Sequence, residues 1–273
     1  MKTQMEKGRI FRALHASAAA FIIPNPWDAG SARMLERLGF EALATTSAGY
    51  AFSVGVPDGG VDRDAMLEHL TTIAVASDLP VSADLANGFG DAPETAGETI
   101  RLAAAAGVVG GSIEDATGRS DDPIYEITHA VERIEAAVGA ARALPFTFTL
   151  TARAENYLHG KLDLKDTIKR LQLYQSAGAD VLYAPGLTSK EEIATILKSV
   201  DRPLNVLMGL QGVKLDLETL SAMGVRRVSV GSALSRAAYG AFLRAAREMR
   251  EHGTFTFAEE AVKFKEISDL LRL

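Results

Sequence analysis

Eight short strand-like runs alternate with eight helical stretches along almost the whole chain, and few folds accept that rhythm. The runs are 21–24, 42–46, 81–84, 111–114, 148–152, 181–184, 204–207 and 227–230. Several are continuously apolar, as expected of strands covered on both faces. Between them the apolar spacing predicts helices over 31–38, 62–77, 94–106, 127–142, 164–177, 189–199, 217–223 and 233–250, with Ser31 as a cap for the first. Gly107, Gly178 and Gly224 each stand just past a helix and before β-branched residues, where a left-handed cap turns the chain back.

Strand–helix alternation repeated eight times reads as an α/β fold of the (β/α)8 TIM-barrel type, one domain over 1–273. A doubly wound sheet is the competing reading, but its first strand usually enters a glycine-rich phosphate turn. Here the first strand leads into Asn25-Pro26-Trp27-Asp28. The tail, 254–273, reads as one more amphipathic helix, with Phe257, Ala261, Phe264, Ile267 and Leu271 seeking a surface on this subunit or a neighbour.

The chain has no cysteine, which excludes disulfides, thiolate metal sites and a cysteine nucleophile. A net charge of −6 favours neither nucleic acid nor an anionic membrane surface. No stretch approaches a membrane span and no signal-peptide pattern opens the chain, so a cytoplasmic protein is expected.

Charged residues close successive strand-like runs. Asp84 ends the third, Glu114 and Asp115 the fourth, and Arg153 the fifth, while Asp58 follows a Gly-Val-Pro turn. Carboxyl ends of buried strands converge on the face where such folds bind ligands. Carboxylates beside one arginine suit a hard divalent cation and an anionic substrate. Each acid also has a plainer reading as a cap or surface group, Asp115 as a bond to nearby backbone or an orienter of Glu114, and Arg153 as a salt bridge to Asp84 or Glu114. The turn Thr45-Thr46-Ser47-Ala48-Gly49 offers hydroxyls and N–H groups for a carboxylate or phosphate. Tyr183 and Asn205 lie within strands and face either ligand or core. The five histidines lack metal-ligand spacing and read as surface residues, with His159 a loop candidate.

In order along the chain stand Pro24-Asn25-Pro26-Trp27-Asp28-Ala29-Gly30-Ser31-Ala32-Arg33, Thr45-Thr46-Ser47-Ala48-Gly49, Pro57-Asp58-Gly59-Gly60, Ala83-Asp84, Gly88-Phe89-Gly90, Ile113-Glu114-Asp115, Thr151-Ala152-Arg153, Ala177-Gly178-Ala179-Asp180 and Pro203-Leu204-Asn205-Val206. Together they resemble the isocitrate lyase / phosphoenolpyruvate mutase superfamily over roughly 9–250, and within it the short phosphoenolpyruvate-mutase-like branch. The resemblance implies a (β/α)8 barrel, Mg²⁺, and a homodimer or homotetramer with the eighth helix exchanged between subunits. It also implies cleavage of a C–C or P–C bond of a small α-keto or α-hydroxy carboxylate through an enolate. By motif, Asp84 would approach the metal directly, with Asp58 and Glu114 holding it through water. Thr46, Ser47 and Ala48 would bind the substrate carboxylate, Arg153 would bind the substrate, and Asn205 would lie near it. Arg153, Glu114 and Asp58 are the expected catalytic residues, and Tyr183 a further substrate contact.

Two departures from the pattern stand out. Ala86 occupies the place of a second acid, which lowers the expected metal affinity; Asn87 beside it offers an oxygen only if the segment is not extended. The loop Ala116-Thr117-Gly118-Arg119-Ser120-Asp121-Asp122-Pro123 lacks the Lys-x-Cys-Gly-His of the lyases and the Lys and Asn of the mutase loop. A cysteine-dependent isocitrate or methylisocitrate lyase is therefore not expected. The proton donor stays open among Arg119 and its loop, Tyr183 and water. A catalytically reduced keto-acid binder or partner subunit is the alternative from another class, and a class II aldolase-type barrel a third reading.

Overall fold

The computed structural model describes residues 1–272. Eight strands, β1 (Phe21–Ile23), β2 (Leu43–Ala44), β3 (Val81–Asp84), β4 (Gly110–Glu114), β5 (Thr149–Arg153), β6 (Val181–Tyr183), β7 (Leu204–Leu207) and β8 (Arg227–Ser229), pair in parallel in the order β1-β8-β7-β6-β5-β4-β3-β2. The ring closes where the Ala44 N–H donates to the Pro24 carbonyl at 3.0 Å. This is the expected (β/α)8 barrel; a doubly wound sheet would leave two open edges.

Among the described residues eleven helices accompany the strands: α1 (Gln4–Ala16), α2 (Ala29–Arg37), α3 (Ser47–Ser53), α4 (Arg63–Ala76), α5 (Pro93–Ala105), α6 (Ile127–Arg142), α7 (Leu164–Ser176), α8 (Lys190–Ser199), α9 (Leu217–Met223), α10 (Ala233–His252) and α11 (Phe264–Leu271). The spans of α6 and α9 match the sequence reading, and the ends of the other six expected barrel helices shift by at most two residues. Gly107, Gly178 and Gly224 all adopt the left-handed conformation expected of them.

The main core lies between strands and helices, and a smaller cluster of Phe11, Phe21, Ile23, Ala42 and Val109 fills the amino end of the barrel. Ile113, Leu150, Leu182, Val206 and Val228 pack outward against Leu70, Ile100, Ile134, Leu171 and Ile193. Each such side chain contributes about 1.5–3 kcal/mol on burial. The opposite strand faces carry Ser82, Ser112, Thr151, Asn205, Arg227 and Ser229, all buried. The same face also carries Phe21, Ile23, Val181 and Leu207, so β1 and β6 are apolar on both faces as expected, while β3, β4 and β5 are apolar on the outer face only. The serines and threonine of the lumen face leave room for a ligand.

Four other expectations are corrected. Two helices were not anticipated: α1, whose Thr3–Glu6 capping box starts it and whose Phe11 plugs the amino end of the barrel, and α3, which begins inside the Thr45–Gly49 turn. Asp28 caps α2, while Ser31 supplies the reciprocal bond of that capping box. His15 and His69 are buried: one contacts Phe11 edge-on and the other stacks on Tyr50 at 3.9 Å. The tail is not one helix. A short 3-10 turn at Thr256–Glu259 precedes α11, which packs on α2, and Leu273 lies outside the described residues. Among the described residues no helix is long and apolar enough to cross a membrane.

Candidate active site

Strand register gathers the site. Glu114 pairs with Arg153, Arg153 with Tyr183, Tyr183 with Asn205, and Asn205 with Arg227. Laterally paired residues of parallel strands point to the same face, so these five side chains face the lumen. Four of them, Arg153, Tyr183, Asn205 and Arg227, border a cavity of about 180 Å³ lined also by Thr46, Ser47, Ala48, Asp58 and Asp84. Of the expected site residues only Glu114 is not on the wall; it stands against Arg153 at 3.1 Å. A larger cleft of about 710 Å³ opens at the amino end of the barrel, by α1, and holds none of the strand-end acids.

Arg153 is the hub. Its Nη1 meets Asp84 Oδ1 at 2.8 Å, Nη2 meets Glu114 Oε2 at 3.1 Å, and Nη2 and Nε reach Glu155 Oε1 at 2.9 and 3.0 Å. One Nη1 proton is left for a ligand, since a guanidinium has five. The salt-bridge reading of Arg153 therefore holds, with both acids at once. The other oxygen of Asp84 accepts the Ser47 N–H at 3.0 Å and the Ser47 hydroxyl at 2.8 Å. The Asp84 N–H donates to the Thr45 hydroxyl. Burial drives the Glu114 carboxyl well above its ordinary value, and burial also raises Glu155; Arg153 offsets both only in part. Burial pulls the Arg153 guanidinium down, but Glu155, Glu114 and Asp84 hold its pKa well up. Asp58 is raised by burial and then by Asp84. Asp58 is exposed as a residue, so its burial penalty is small beside that of Glu114.

The remaining expected residues are partly spent on the protein. The Thr46 hydroxyl caps α3 by accepting the Gly49 N–H. Asn205 donates to Ser229 Oγ and accepts from Arg227 Nε, each at 2.9 Å. The Tyr183 ring lies under Arg153, 5.2 Å from its guanidinium carbon. Burial lifts its hydroxyl to about 12, so it stays protonated.

Three carboxyl groups around Arg153 present oxygen donors, the ligand type that Mg²⁺ takes. Among the described residues no three acids or histidines converge tightly enough to form a closed metal cage. Mg²⁺ usually keeps several waters and needs only one or two carboxylates, so the oxygen donors present here fit such an ion without a closed cage. Ala86 leaves the extended path and is left-handed at φ 47°. Asn87 Oδ1 accepts the Phe89 N–H and is not free to replace the missing acid.

Sequence reasoning missed Glu155 and Arg227. Glu155 stands two residues beyond the strand-end arginine, and an acid so placed after a strand was the available signal. Arg227 opens its strand rather than closing it, so the strand-end rule passed over it. Asp115, 3% exposed, accepts the Glu155 N–H, Arg170 Nη1 and the Tyr174 hydroxyl. It thereby fixes the segment after Arg153, the backbone role foreseen for it. Arg119 pairs with Asp91 at 2.9 Å and does not line the cavity.

The profile of the family described as phosphoenolpyruvate phosphomutase matches residues 11–250. The chain belongs to this family. Its fold and 65% of its aligned residues are shared with a Burkholderia cenocepacia J2315 protein assigned only broadly to the lyases and mutases, with a TM-score of 0.96 over 99% of this chain and 97% of that one. An oxaloacetate decarboxylase of Pseudomonas putida (strain GB-1) is 31% identical over 242 residues, 86% of this chain and 80% of the relative. A phosphonopyruvate hydrolase solved with oxalate and Mg²⁺ is 25% identical, with a TM-score of 0.85 over 98% of this chain and 95% of that one.

Proposed function

We propose that the chain is a magnesium-assisted lyase that cleaves a C–C or P–C bond of a small α-keto carboxylate, oxaloacetate-like or phosphonopyruvate-like, through an enolate. The observation that carries this reading is Arg153, held by Asp84, Glu114 and Glu155 on the wall of a cavity sized for a small ligand. Thr46, Ser47 and Ala48 seat the substrate carboxylate at the start of α3. Arg153 binds the keto-acid end with its remaining proton, its geometry set by the three acids. Asp84, Asp58 and Glu114 are the metal-side acids. When bound, Mg²⁺ would supply the fixed positive charge that a developing enolate oxygen needs. Its affinity is lowered by Ala86. The chain has no cysteine, so proton transfer does not use a thiol. The protonated Tyr183 hydroxyl or a water serves, since Arg119 is engaged elsewhere.

A keto-acid binder without turnover is not favoured, because the related proteins include a decarboxylase and a hydrolase. The test is loss of oxaloacetate and of phosphonopyruvate, followed by NMR with and without Mg²⁺. Magnesium-dependent loss of at least one, faster than in a protein-free magnesium control, supports the reading; no loss of either beyond that control refutes it.

The oligomer expected from the resemblance, a homodimer or homotetramer, belongs to the same proposal. The 20-residue α10 buries only Ser235, and Phe242 and Leu243 are exposed beside Phe52 and Val56 of the α3 end. A helix so amphipathic needs a covering surface, and a neighbouring copy provides one. Light scattering should find a dimer or tetramer, and Phe242→Glu should shift it toward monomer. A wild-type monomer would rule this out.

A further inference from the structure

We infer that Arg227 is a second anion-binding residue at the floor of the cavity and that it selects small dianions, such as a dicarboxylate or a carboxylate–phosphonate, over monoanions. Its side chain is 4% exposed and lines the cavity. A buried cation is costly unless it is paired, and the two other buried arginines each have acids or several carbonyls at their terminal nitrogens, although Arg133 Nε has no partner. Arg170 has Asp115 and Asp166, and Arg133 has the backbone carbonyls of Asn87, Gly90 and Asp91. Arg227 has neither. Its Nε donates to Asn205 Oδ1 at 2.9 Å, and its Nη1 lies 3.5 Å from His15 Nε2. Its Nη2 has no hydrogen-bond partner among the described residues, and the residue lines the lumen cavity.

His15 does not balance the charge. Its Nδ1 donates to the Phe11 carbonyl, leaving Nε2 as a neutral acceptor toward Arg227. Burial and then Arg227 lower its pKa to about 3. Asn205, whose Oδ1 takes Nε, in turn donates to Ser229, so the guanidinium is aimed by a short chain of fixed groups. The same register row carries Arg153 three strands away, and both arginines border one cavity of about 180 Å³. A ligand with one anionic group at Arg153 can therefore place a second toward Arg227.

This inference rests on the reading that a small keto acid fills the cavity, so the test measures binding apart from turnover. Wild type, Arg227→Gln and Arg227→Lys would be titrated calorimetrically with oxalate, malonate and pyruvate in the presence of Mg²⁺. Near-ultraviolet circular dichroism would check packing. The expected result is an about ten- to hundredfold loss of oxalate and malonate affinity in R227Q, the scale of a lost charge-assisted pair. Pyruvate affinity should change by less than about threefold, and R227K should recover part of the loss. Equal losses for all three ligands, no loss for the dianions, or wild-type protein that does not prefer dianions would overturn the assignment. The expected pattern in a protein that turns over no keto acid would keep Arg227 as an anion site and refute the proposed reaction alone.

Discussion

Ser47 gives both its backbone N–H and its hydroxyl to one oxygen of Asp84, at 3.0 and 2.8 Å, while Arg153 holds the other oxygen at 2.8 Å. The turn expected to seat the substrate therefore also aims the acid expected to meet the metal. Ser47→Ala removes the hydroxyl and leaves the backbone bond. One hydrogen bond to a charged group is worth about 1.5–3 kcal/mol. Magnesium titrated calorimetrically with oxalate present should bind about tenfold more weakly. Unchanged affinity would mean that Arg153 alone orients Asp84.

Arg153→Ala leaves Asp84, Glu114 and Glu155 facing one another without their cation. Removing one partner of a buried ion pair costs about 3–5 kcal/mol, and urea unfolding should show a loss of that order. Oxalate binding should disappear as well. A variant that kept both its stability and its oxalate affinity would remove Arg153 from the site.

Ala86 spends backbone energy on a left-handed conformation, φ 47°, that suits glycine, asparagine or aspartate better. Ala86→Gly should relieve about 1 kcal/mol, raising Tm by about 2–4 °C. Ala86→Asp tolerates the same backbone and adds an acid two residues from Asp84. Outer-shell groups of this kind change metal affinity by about ten- to a hundredfold, so Mg²⁺ should bind more tightly by that factor in calorimetry. No gain would show that the added carboxylate does not face the ion.

His69 is buried on the face of Tyr50, and its Nε2 has no partner among the described residues. Burial lowers its pKa from 6.5 to about 4. The folded protein thus binds fewer protons than the unfolded chain between these values. The stability from neutral His69 is full above pH 6.5, is lost progressively as pH falls, and is gone below about pH 4. The span is worth roughly 3 kcal/mol. His69→Phe keeps the stack and cannot titrate, so its unfolding free energy should fall less steeply than the parent's over that window. Identical slopes would show that His69 is not held neutral.

Much of the fold was legible because periodicity is local. Strand runs such as 81–84 and 204–207 and helices such as α6 and α9 declare themselves through apolar spacing and the glycines that follow. The helix at α3 was hidden because seven residues carry too little periodicity to separate from a polar turn. The burial of His69 was hidden because the ring that covers it, Tyr50, sits on that unrecognised helix.

What the sequence determined by itself was the alternation that forces a barrel and the placing of Asp84, Glu114 and Arg153 at strand ends. In a parallel barrel those ends share one face, so no knowledge of pairing was needed to bring these residues near one another. Only the tertiary structure decided which groups touch. Register puts Arg227, the first residue of its strand, in one row with Glu114, the last of its own. Each parallel neighbour is offset from the next around the ring, and no local pattern records that offset. The crowding of Asp84, Glu114 and Glu155 onto a single guanidinium is likewise a long-range event, set by how the closed sheet brings three separate segments together.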